Sequence, residues 1–256
     1  MKLKAALKGT CRVLQRSWVG VLRKAGLLKA DWKANLPEEL QFWERALTNE
    51  GQHWDRNEYR ERTDPNFELQ DELKALIPAP PGSMVRILDV GAGPLTRVGK
   101  HWPGRDLQII AVDPLAEEYN ALLARIALRP LIPVTFAHGE KLAEHFPANS
   151  FDLAYASNAL DHSYDPLVVI NQMLTVVKPL CHVYLWHFAN VGRVESYAGL
   201  HQWNFDIRGS EFVVDNGRRT QSVVNALRGR AEVTCEFQEA FGGKVVVAKL
   251  KKLTPL

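Results

Sequence analysis

Short apolar runs alternate with helix-like stretches from residue 84 onward, and this alternation constrains the fold more than any other feature of the sequence. The strand-like runs lie at 85–90, 107–112, 134–137, 151–156 and 182–187. The helix-like stretches lie between and after them, at 96–101, 117–127, 142–145 and 166–177. Strands that alternate with helices predict a parallel, doubly wound α/β sheet.

The C-terminal part departs from this alternation. Residues 231–252, AEVTCEFQEAFGGKVVVAKLKK, form two strand-like runs joined by a Gly242-Gly243 turn. Two such runs across a glycine pair predict an antiparallel hairpin. We therefore expect the parallel sheet to end in an antiparallel pair of strands.

Two segments precede the sheet, so we expect a basic segment at 1–35, a helical extension at 36–82 and the main domain at 83–256. Residues 1–33 carry nine Lys or Arg and a single acid, Asp31. Their apolar residues fall at roughly helical spacing, which would suit a helix lying on an anionic membrane surface. A helix packed on the main domain, or a partly ordered tail, fits the same pattern. In the extension, Pro37 is expected to begin a helix, and 60–65 is expected to be a turn.

Composition narrows the class of protein. No run of about 18 apolar residues is present, as a spanning helix would require, and the N-terminus lacks the apolar core of a secretory signal. The three cysteines are scattered without metal-like spacing, which favours reduced thiols in the cytoplasm. Because residues 34–256 carry more acidic than basic side chains, a nucleic-acid partner is not expected.

The sequence VRILDVGAGPLT at 85–96 combines a strand with a glycine turn. Gly91 and Gly93 allow a backbone with positive φ to approach a ligand closely, and a helix is expected to follow. Asp113 lies 20 residues after Gly93 and ends the next strand. A carboxylate there accepts hydrogen bonds from ribose hydroxyls. These residues alone fit NAD as well as other nucleotide cofactors.

The order of motifs further along resembles the class I S-adenosylmethionine-dependent methyltransferases, in particular their type 11 small-molecule branch. The motifs are DVGAG, Asp113, Gly139-Glu140 and the PANSFD entry to the fourth strand at 147–152. The resemblance covers about residues 84–251. It implies a seven-stranded Rossmann-like methyltransferase sheet with an antiparallel C-terminal hairpin, and S-adenosyl-L-methionine as cofactor, with S-adenosyl-L-homocysteine as product.

The resemblance also implies cofactor contacts. Asp89 would face the amino group of the methionine part, Asp113 the ribose, and Glu140 the adenine amino group. Asn158 would line the methyl-donor end. The full set expected to bind the cofactor is Asp89, Gly91, Ala92, Gly93, Asp113, Pro114, Gly139, Glu140, Lys141 and Asn158.

Catalysis of methyl transfer requires alignment of the acceptor, and for a hydroxyl acceptor a base also helps. Asp161-His162 follows the fourth strand at the edge where ligands bind in such sheets. His162 is the first candidate base, with Asp161 orienting an imidazole or binding the acceptor. His187 and His201 are alternative bases. Magnesium prefers oxygen ligands and no clustered carboxylates are evident, so no metal site is expected.

A long insert, RVESYAGLHQWNFDIRGSEFVVD at 193–215, precedes the terminal hairpin. Loops at the functional edge of a fold carry specificity. Tyr197, His201, Trp203 and Arg208 are therefore expected to recognise the acceptor, although a structural cover over the sheet would also explain them.

These features favour an O-methyltransferase that acts on a small-molecule or glycan hydroxyl, with a sugar of bacterial surface glycan or secondary metabolism as the leading acceptor. The acceptor would be free or lipid-linked, and the enzyme cytoplasmic, with peripheral contact to the inner face of the membrane through 1–33. The alternatives are methylation of a lipid or quinone-type acceptor at the membrane surface, and a non-catalytic cofactor-binding protein.

Overall fold

The computed structural model of this protein describes residues 32–48 and 55–254, with side chains from residue 35 onward. The strands are β1 (Met84–Val90), β2 (Asp106–Asp113), β3 (Val134–Phe136), β4 (Phe151–Ser157), β5 (Val177–Phe188), β6 (Asn204–Arg208), β7 (Glu211–Asp215), β8 (Thr220–Ser222), β9 (Ala231–Ala240) and β10 (Gly243–Lys252). The helices are α1 (Trp32–Leu47), α2 (Arg56–Thr63), α3 (Asp71–Lys74), α4 (Ala116–Arg125), α5 (Leu142–His145), α6 (Pro166–Val176), α7 (Val191–Val194) and α8 (Val223–Ala226).

Seven strands form the central sheet in the order β3-β2-β1-β4-β5-β10-β9. The first five are parallel to one another, whereas β10 runs antiparallel to both β5 and β9. The expected fold class, a doubly wound methyltransferase sheet with an antiparallel C-terminal hairpin, is confirmed. The antiparallel direction of β10 brings the β9–β10 turn to the edge where β5 ends.

Strand β1 shows why the sequence forms a buried parallel strand. Val85 and Ile87 pack into the apolar core on one face of the sheet, and Leu88 and Val90 into the core on the other. All four are almost completely buried. A parallel strand covered on both faces requires a nearly continuous apolar run, which is what this segment provides.

The helix expected at 96–101 is absent, and this part of the prediction is wrong. The segment is instead irregular, and its end at residues 99–101 packs against residues 67–70. The backbone N–H groups of Lys100 and His101 both donate to the carbonyl of Phe67, and Leu69 donates to His101. A side chain at Gly99 would clash with the backbone at Glu68. Tertiary backbone hydrogen bonds thus replace the intrahelical ones.

The N-terminal extension packs directly on the main domain. Trp43 and Leu47 of α1 join Leu115 and Tyr119 in one buried cluster. Helix α1 begins before Pro37 rather than at it, and the expected turn at 60–65 is mostly the end of α2, whose first turn is capped by Asp55. The proposed domain boundaries remain predictions, and nearly all of the basic segment 1–35 lies outside the described residues.

The insert forms a second sheet of three antiparallel strands, β6-β7-β8, which the sequence did not predict. Its apolar side chains Phe205, Phe212 and Val214 are fully buried in the main core. None of the helices described is long and apolar enough to span a membrane.

Candidate active site

A cavity of about 480 Å³ opens at the carboxyl edge of β1, β2, β4 and β5. The carboxyl ends of parallel strands meet at one edge, and their following turns form a crevice for ligands. Residues from the turns after these strands line the cavity, and α1 closes one side with Glu39, Phe42 and Trp43. The cavity therefore lies where the sequence analysis placed the cofactor.

The glycine turn after β1 forms the floor beneath the cofactor position. Gly91 and Gly93 have φ values of +71° and +65°, in the left-handed region. A Cβ at Gly91 would lie 2.4 Å from the Cβ of Ala159, and one at Gly93 would lie 2.8 Å from the Trp43 ring. Only glycine fits this close approach without strain. The buried Arg62 guanidinium donates to the carbonyls of Ala92 and Leu95 and holds the turn from below.

Asp89, at the end of β1, is buried and accepts a hydrogen bond of 2.6 Å from the Thr96 hydroxyl through Oδ2. The Thr96 oxygen in turn accepts from the Val98 N–H at 3.1 Å. Asp89 does not form part of the cavity wall. Burial raises its pKa to about 6. Its observed contacts stabilise the glycine turn, and its expected contact with the methionine amino group remains a prediction.

Asp113 ends β2 with its carboxylate at the cavity wall. Its Oδ2 accepts from the Gly93 N–H at 3.1 Å and its Oδ1 from the Leu115 N–H at 2.9 Å. Burial raises the pKa of this carboxyl to about 7. Each oxygen can accept a second hydrogen bond, so the arrangement suits the two hydroxyls of a ribose. Pro114 follows in the same wall.

Gly139 and Glu140 follow β3 and line the cavity, as expected. The Glu140 Oε1 atom accepts from the Tyr164 N–H at 2.8 Å, which ties it to the turn after β4. The side chain of Lys141 faces outward and lies 3.5 Å from Glu144. Sequence analysis did not single out His138 or Tyr164, although both line the cavity with ring centroids 6.3 Å apart.

Asn158 follows β4 in a left-handed conformation, with φ of 47°. Its N–H donates to the Trp186 carbonyl at 2.7 Å, and its Oδ1 accepts from the Phe188 N–H at 3.4 Å. These bonds couple the ends of β4 and β5. Asn158 lines the cavity, where the resemblance places the methyl-donor end.

Asp161, His162 and His201 come together beside the cavity. The Asp161 Oδ2 lies 2.6 Å from the His201 Nδ1 and 3.3 Å from the His162 Nε2, and the two ring nitrogens are 3.1 Å apart. We call these three residues the His-Asp-His cluster. His162 lines the cavity, whereas Asp161 is completely buried behind it.

The electrostatics of the cluster follow from its burial. Burial alone would raise the pKa of Asp161, but the neighbouring imidazoles outweigh this and lower it to about 2. Burial likewise disfavours protonation of His201, but its hydrogen bond to Asp161 prevails and raises the His201 pKa. Asp161 is therefore an anion at neutral pH, and it attracts positive charge to this side of the cavity.

The insert holds His201 beside Asp161. The N–H groups of Gln202 and Trp203 donate to the Asp161 carbonyl at 2.9 and 3.2 Å. The Trp203 Nε1 donates to the Ser163 carbonyl at 3.0 Å. The turn after β4 and the insert are thus joined on both sides of the cluster, although they are about 40 residues apart in the chain.

His187, an alternative base, does not reach the cavity wall. Its ring stacks on Phe205 with centroids 4.1 Å apart, and only 1% of the residue is exposed. Burial lowers the pKa of His187 to about 4. His187 sits in the apolar core, and we do not retain it as a base.

Tyr197, Trp203 and Arg208 also lie outside the cavity wall, contrary to their expected role in acceptor binding. The Tyr197 hydroxyl accepts from the Asn204 side chain at 3.0 Å. Trp203 is buried in the core. Arg208 forms an ion pair of 2.5 Å with Asp215, and Asp215 is buried. These contacts stabilise the insert, which is the structural cover weighed as the alternative.

The structure places other aromatic residues where acceptor recognition was expected. Trp186, Phe188 and Phe241 line the cavity and pack edge to face, with centroid separations of 5.1 to 6.4 Å. The Arg97 guanidinium lies over the Trp186 and Phe241 rings and is held by Glu61 at 2.8 Å. We call Trp186, Phe188 and Phe241 the aromatic wall. No motif marks them, because they converge only when β10 pairs with β5.

Part of this chain matches a known protein family. Residues 88–185 match the family model described as a methyltransferase domain. Among solved structures, a 1,6-didemethyltoxoflavin-N1-methyltransferase from Burkholderia thailandensis, with bound 1,6-didemethyltoxoflavin and S-adenosylhomocysteine, is 16% identical with a TM-score of 0.49. The match covers 89% of this chain and 92% of that one.

Two further structures are similar to this chain. A SAM dependent methyltransferase from Aquifex aeolicus is 16% identical with a TM-score of 0.45, over 84% of this chain and 98% of that one. The CurJ carbon methyltransferase is 14% identical with a TM-score of 0.48, over 69% of this chain. This chain spans half the length of the CurJ chain.

The fold and the cavity define an α/β protein that can hold a nucleoside cofactor at the carboxyl edge of its sheet. More specifically, the family match identifies residues 88–185 as a methyltransferase domain, and it supports S-adenosylmethionine as the cofactor. The residues present fit that cofactor. Gly91 and Gly93 supply a tight turn with positive φ at the cavity wall, and Asp113 presents a buried carboxylate that suits a ribose.

Proposed function

We propose that this enzyme transfers a methyl group from S-adenosylmethionine to a hydroxyl of a small molecule or glycan, and that a sugar hydroxyl is the leading acceptor. S-adenosylmethionine supplies an electrophilic methyl carbon on a sulfonium. A hydroxyl attacks such a carbon more readily as its proton is removed. The observation that carries the proposal is the His-Asp-His cluster, which places His162 at the cavity wall four residues after Asn158.

The roles of the chain's own residues follow from their positions. Gly91, Gly93 and Asp113 bind and orient the cofactor. Asn158 positions its methyl-donor end. His162 of the His-Asp-His cluster binds the acceptor hydroxyl and accepts its proton, and the Asp161 carboxylate stabilises the positive charge that results. Alignment of the two reacting groups supplies much of the rate enhancement in such a transfer.

The aromatic wall supports a cyclic acceptor with both apolar and polar faces. Its rings offer flat apolar surfaces, and the Arg97 guanidinium beside them offers N–H donors. Binding sites for small molecules combine such apolar walls with a few polar groups that fix orientation. A sugar ring presents C–H groups on one face and hydroxyls at its edges, which matches this combination.

A second candidate is a lipid or quinone-type acceptor at the membrane surface. Phe42 and Phe241 both line the cavity, and each is 50% exposed at its opening. Exposed aromatic side chains beside an opening suit contact with an apolar phase. The basic segment 1–33 would supply attraction to anionic lipid. Since the chain is an enzyme, the non-catalytic alternative is not pursued.

Transfer of label from methyl-tritiated S-adenosylmethionine tests the proposal. The acceptor panel contains free sugars, sugar nucleotides, lipid-linked glycans and quinols, with His162→Ala as the inactive control. Labelled sugars, absent with the variant, would support the proposal. Label in quinols alone would replace it with the second candidate.

For the membrane contact, the full-length protein is compared with a variant lacking 1–33 on anionic and neutral vesicles. Salt-insensitive or absent binding by the full-length protein would contradict peripheral association.

A further inference from the structure

We infer that Asp161, His162 and His201 form a binding site for a divalent transition-metal cation of the zinc type. The three side chains direct one oxygen and two ring nitrogens toward a common point. Their separations are 2.6, 3.1 and 3.3 Å. The sequence did not lead us to expect a metal site, because magnesium prefers oxygen ligands and no clustered carboxylates were evident.

The separations match a coordination polyhedron. Zinc binds imidazole nitrogen and carboxylate oxygen at about 2.0–2.2 Å in tetrahedral geometry. Two ligands of a tetrahedron at that radius are about 3.3–3.6 Å apart. The His162–Asp161 distance of 3.3 Å lies in this range and the His162–His201 distance of 3.1 Å lies just below it, whereas the Asp161–His201 distance of 2.6 Å would have to lengthen by roughly 0.7 Å.

Hydrogen bonding alone satisfies the cluster poorly. A neutral imidazole carries one N–H, so its second nitrogen is an acceptor. If the His201 Nδ1–H donates to the Asp161 Oδ2, a His162 Nε2–H can donate to the same oxygen at 3.3 Å only with the two N–H groups 3.1 Å apart, and a deprotonated Nε2 would direct its lone pair at the carboxylate. One proton serves one pair of atoms in this triangle, whereas a cation at its centre serves all three.

The second carboxylate oxygen points to the same conclusion. Asp161 is completely buried, and its Oδ1 has no hydrogen-bond partner among the described residues. A buried carboxylate oxygen without a partner carries a desolvation cost that a bound cation would offset. Both oxygens of a carboxylate can bind one metal ion, so Asp161 would be a bidentate ligand and one further position, as in a five-coordinate zinc site, would stay open.

The donor set selects the metal. Two imidazoles and one carboxylate suit zinc, iron or another first-row divalent ion, whereas magnesium prefers oxygen ligands only. With three protein ligands, a catalytic site keeps a position open for water or substrate. His162 lines the cavity, so that position would face the acceptor. A metal there would bind the acceptor oxygen and favour loss of its proton; this role, but not the site itself, rests on the proposed function.

The test measures metal binding on full-length protein without acceptor. Protein whose affinity tag has been removed is stripped with chelator, and zinc binding is measured by calorimetry and by elemental analysis after gel filtration. We expect one equivalent for the wild type. Asp161→Asn, His162→Ala and His201→Ala should each weaken binding at least tenfold, while the matched control His145→Ala, an exposed histidine elsewhere, should not.

Cobalt substitution gives a readout that needs no variant, because a tetrahedral cobalt site absorbs strongly in the visible region. Absence of zinc binding and of this absorption in the wild type would overturn the site, as would unchanged binding in His201→Ala. Circular dichroism and S-adenosylhomocysteine affinity confirm that the variants are folded. Hydroxyl methylation that persists in the stripped protein would overturn the metal's role and leave the proposed function standing. Zinc binding with no methylated hydroxyl would overturn the proposed function, and with it the metal's role, and would leave the zinc site standing.

Discussion

The two sides of the cavity are built in different ways. The cofactor side consists of short segments that directly follow β1, β2 and β3, with Gly91, Gly93 and Asp113 at its centre. Hydrogen bonds tie the first two of these segments to each other, because Gly91 donates to the Val112 carbonyl and Gly93 to the Asp113 carboxylate. On the acceptor side, Asp161, His201 and Phe241 come from the turn after β4, the insert and the β9–β10 hairpin.

Because of this difference, the residues of one side can change without changing the residues of the other. The cofactor is fixed, so its contacts are confined to turns that any parallel sheet of this order brings together. The acceptor side depends on how the insert and the hairpin pack against β5. Substitutions on one side should therefore leave the other side's ligand unaffected, and the following experiments test this separation.

The largest effect is expected for His162→Ala. Loss of a group that binds the acceptor oxygen or aids removal of its proton should reduce turnover about 10²-fold or more. Steady-state transfer of labelled methyl groups measures this change. Because His162 belongs to the acceptor side, the dissociation constant for S-adenosylhomocysteine should stay within about threefold of the wild type. A large loss of cofactor affinity would show that the two sides are not separate.

Asp113→Ala should produce the opposite pattern. The variant loses a buried carboxylate that accepts hydrogen bonds, and the S-adenosylhomocysteine dissociation constant should rise tenfold or more, as calorimetry would measure. Asp106→Ala, at the exposed far end of the same strand, is the control and should bind normally. An unchanged affinity of Asp113→Ala for S-adenosylhomocysteine would contradict the prediction that Asp113 binds the ribose hydroxyls.

The affinity for S-adenosylhomocysteine should also depend on pH. Burial raises the pKa of Asp113 to about 7 in the free protein, and the ionised form accepts hydroxyl hydrogen bonds better than the protonated form. As pH falls below about 7, binding must displace a proton. The dissociation constant should therefore rise, by up to about tenfold per pH unit, and should level off above pH 7. Asp113→Asn, which cannot titrate, should lack this part of the dependence; an identical profile in both proteins would contradict the assignment.

The smallest effect is expected for Phe241→Ala. Removing one aromatic contact of about 0.5–1.5 kcal/mol should raise the acceptor KM about two- to tenfold and leave cofactor affinity unchanged. Phe237→Ala is a matched control. Phe237, on β9, is exposed like Phe241, but its ring lies under the Lys244 ammonium group and does not line the cavity. Equal effects of the two substitutions would exclude a specific acceptor contact at the aromatic wall.

Much of the fold could be predicted because parallel strands buried on both faces leave continuous apolar runs in the sequence. The alternation of strands and helices followed from that signal, and the C-terminal hairpin followed from two strand-like runs joined by Gly242-Gly243. The helix expected at 96–101 failed for a physical reason. Its backbone groups find partners in residues 67–70, and no local pattern records a partner so far away in the chain.

The candidate site likewise combines residues that the sequence identified with contacts that it did not reveal. Asp161 and His162 could be recognised beside β4, and His201 was singled out in the insert, but nothing in the sequence showed that their donor atoms meet. The polar and aromatic residues of the insert were expected to contact the acceptor. Tyr197, Trp203 and Arg208 instead stabilise the insert or anchor it to the turn after β4.

The sequence by itself determined the sheet, the glycine turn and the acid at the end of β2, because each depends on residues that are adjacent along the chain. Only the tertiary structure decided the composition of the acceptor side. The insert donates two backbone N–H groups to the Asp161 carbonyl, and this anchors His201 at 2.6 Å from the Asp161 carboxylate. Antiparallel pairing of β10 with β5 carries Phe241 to the same edge of the sheet. Such contacts form between segments far apart in the chain when the core packs.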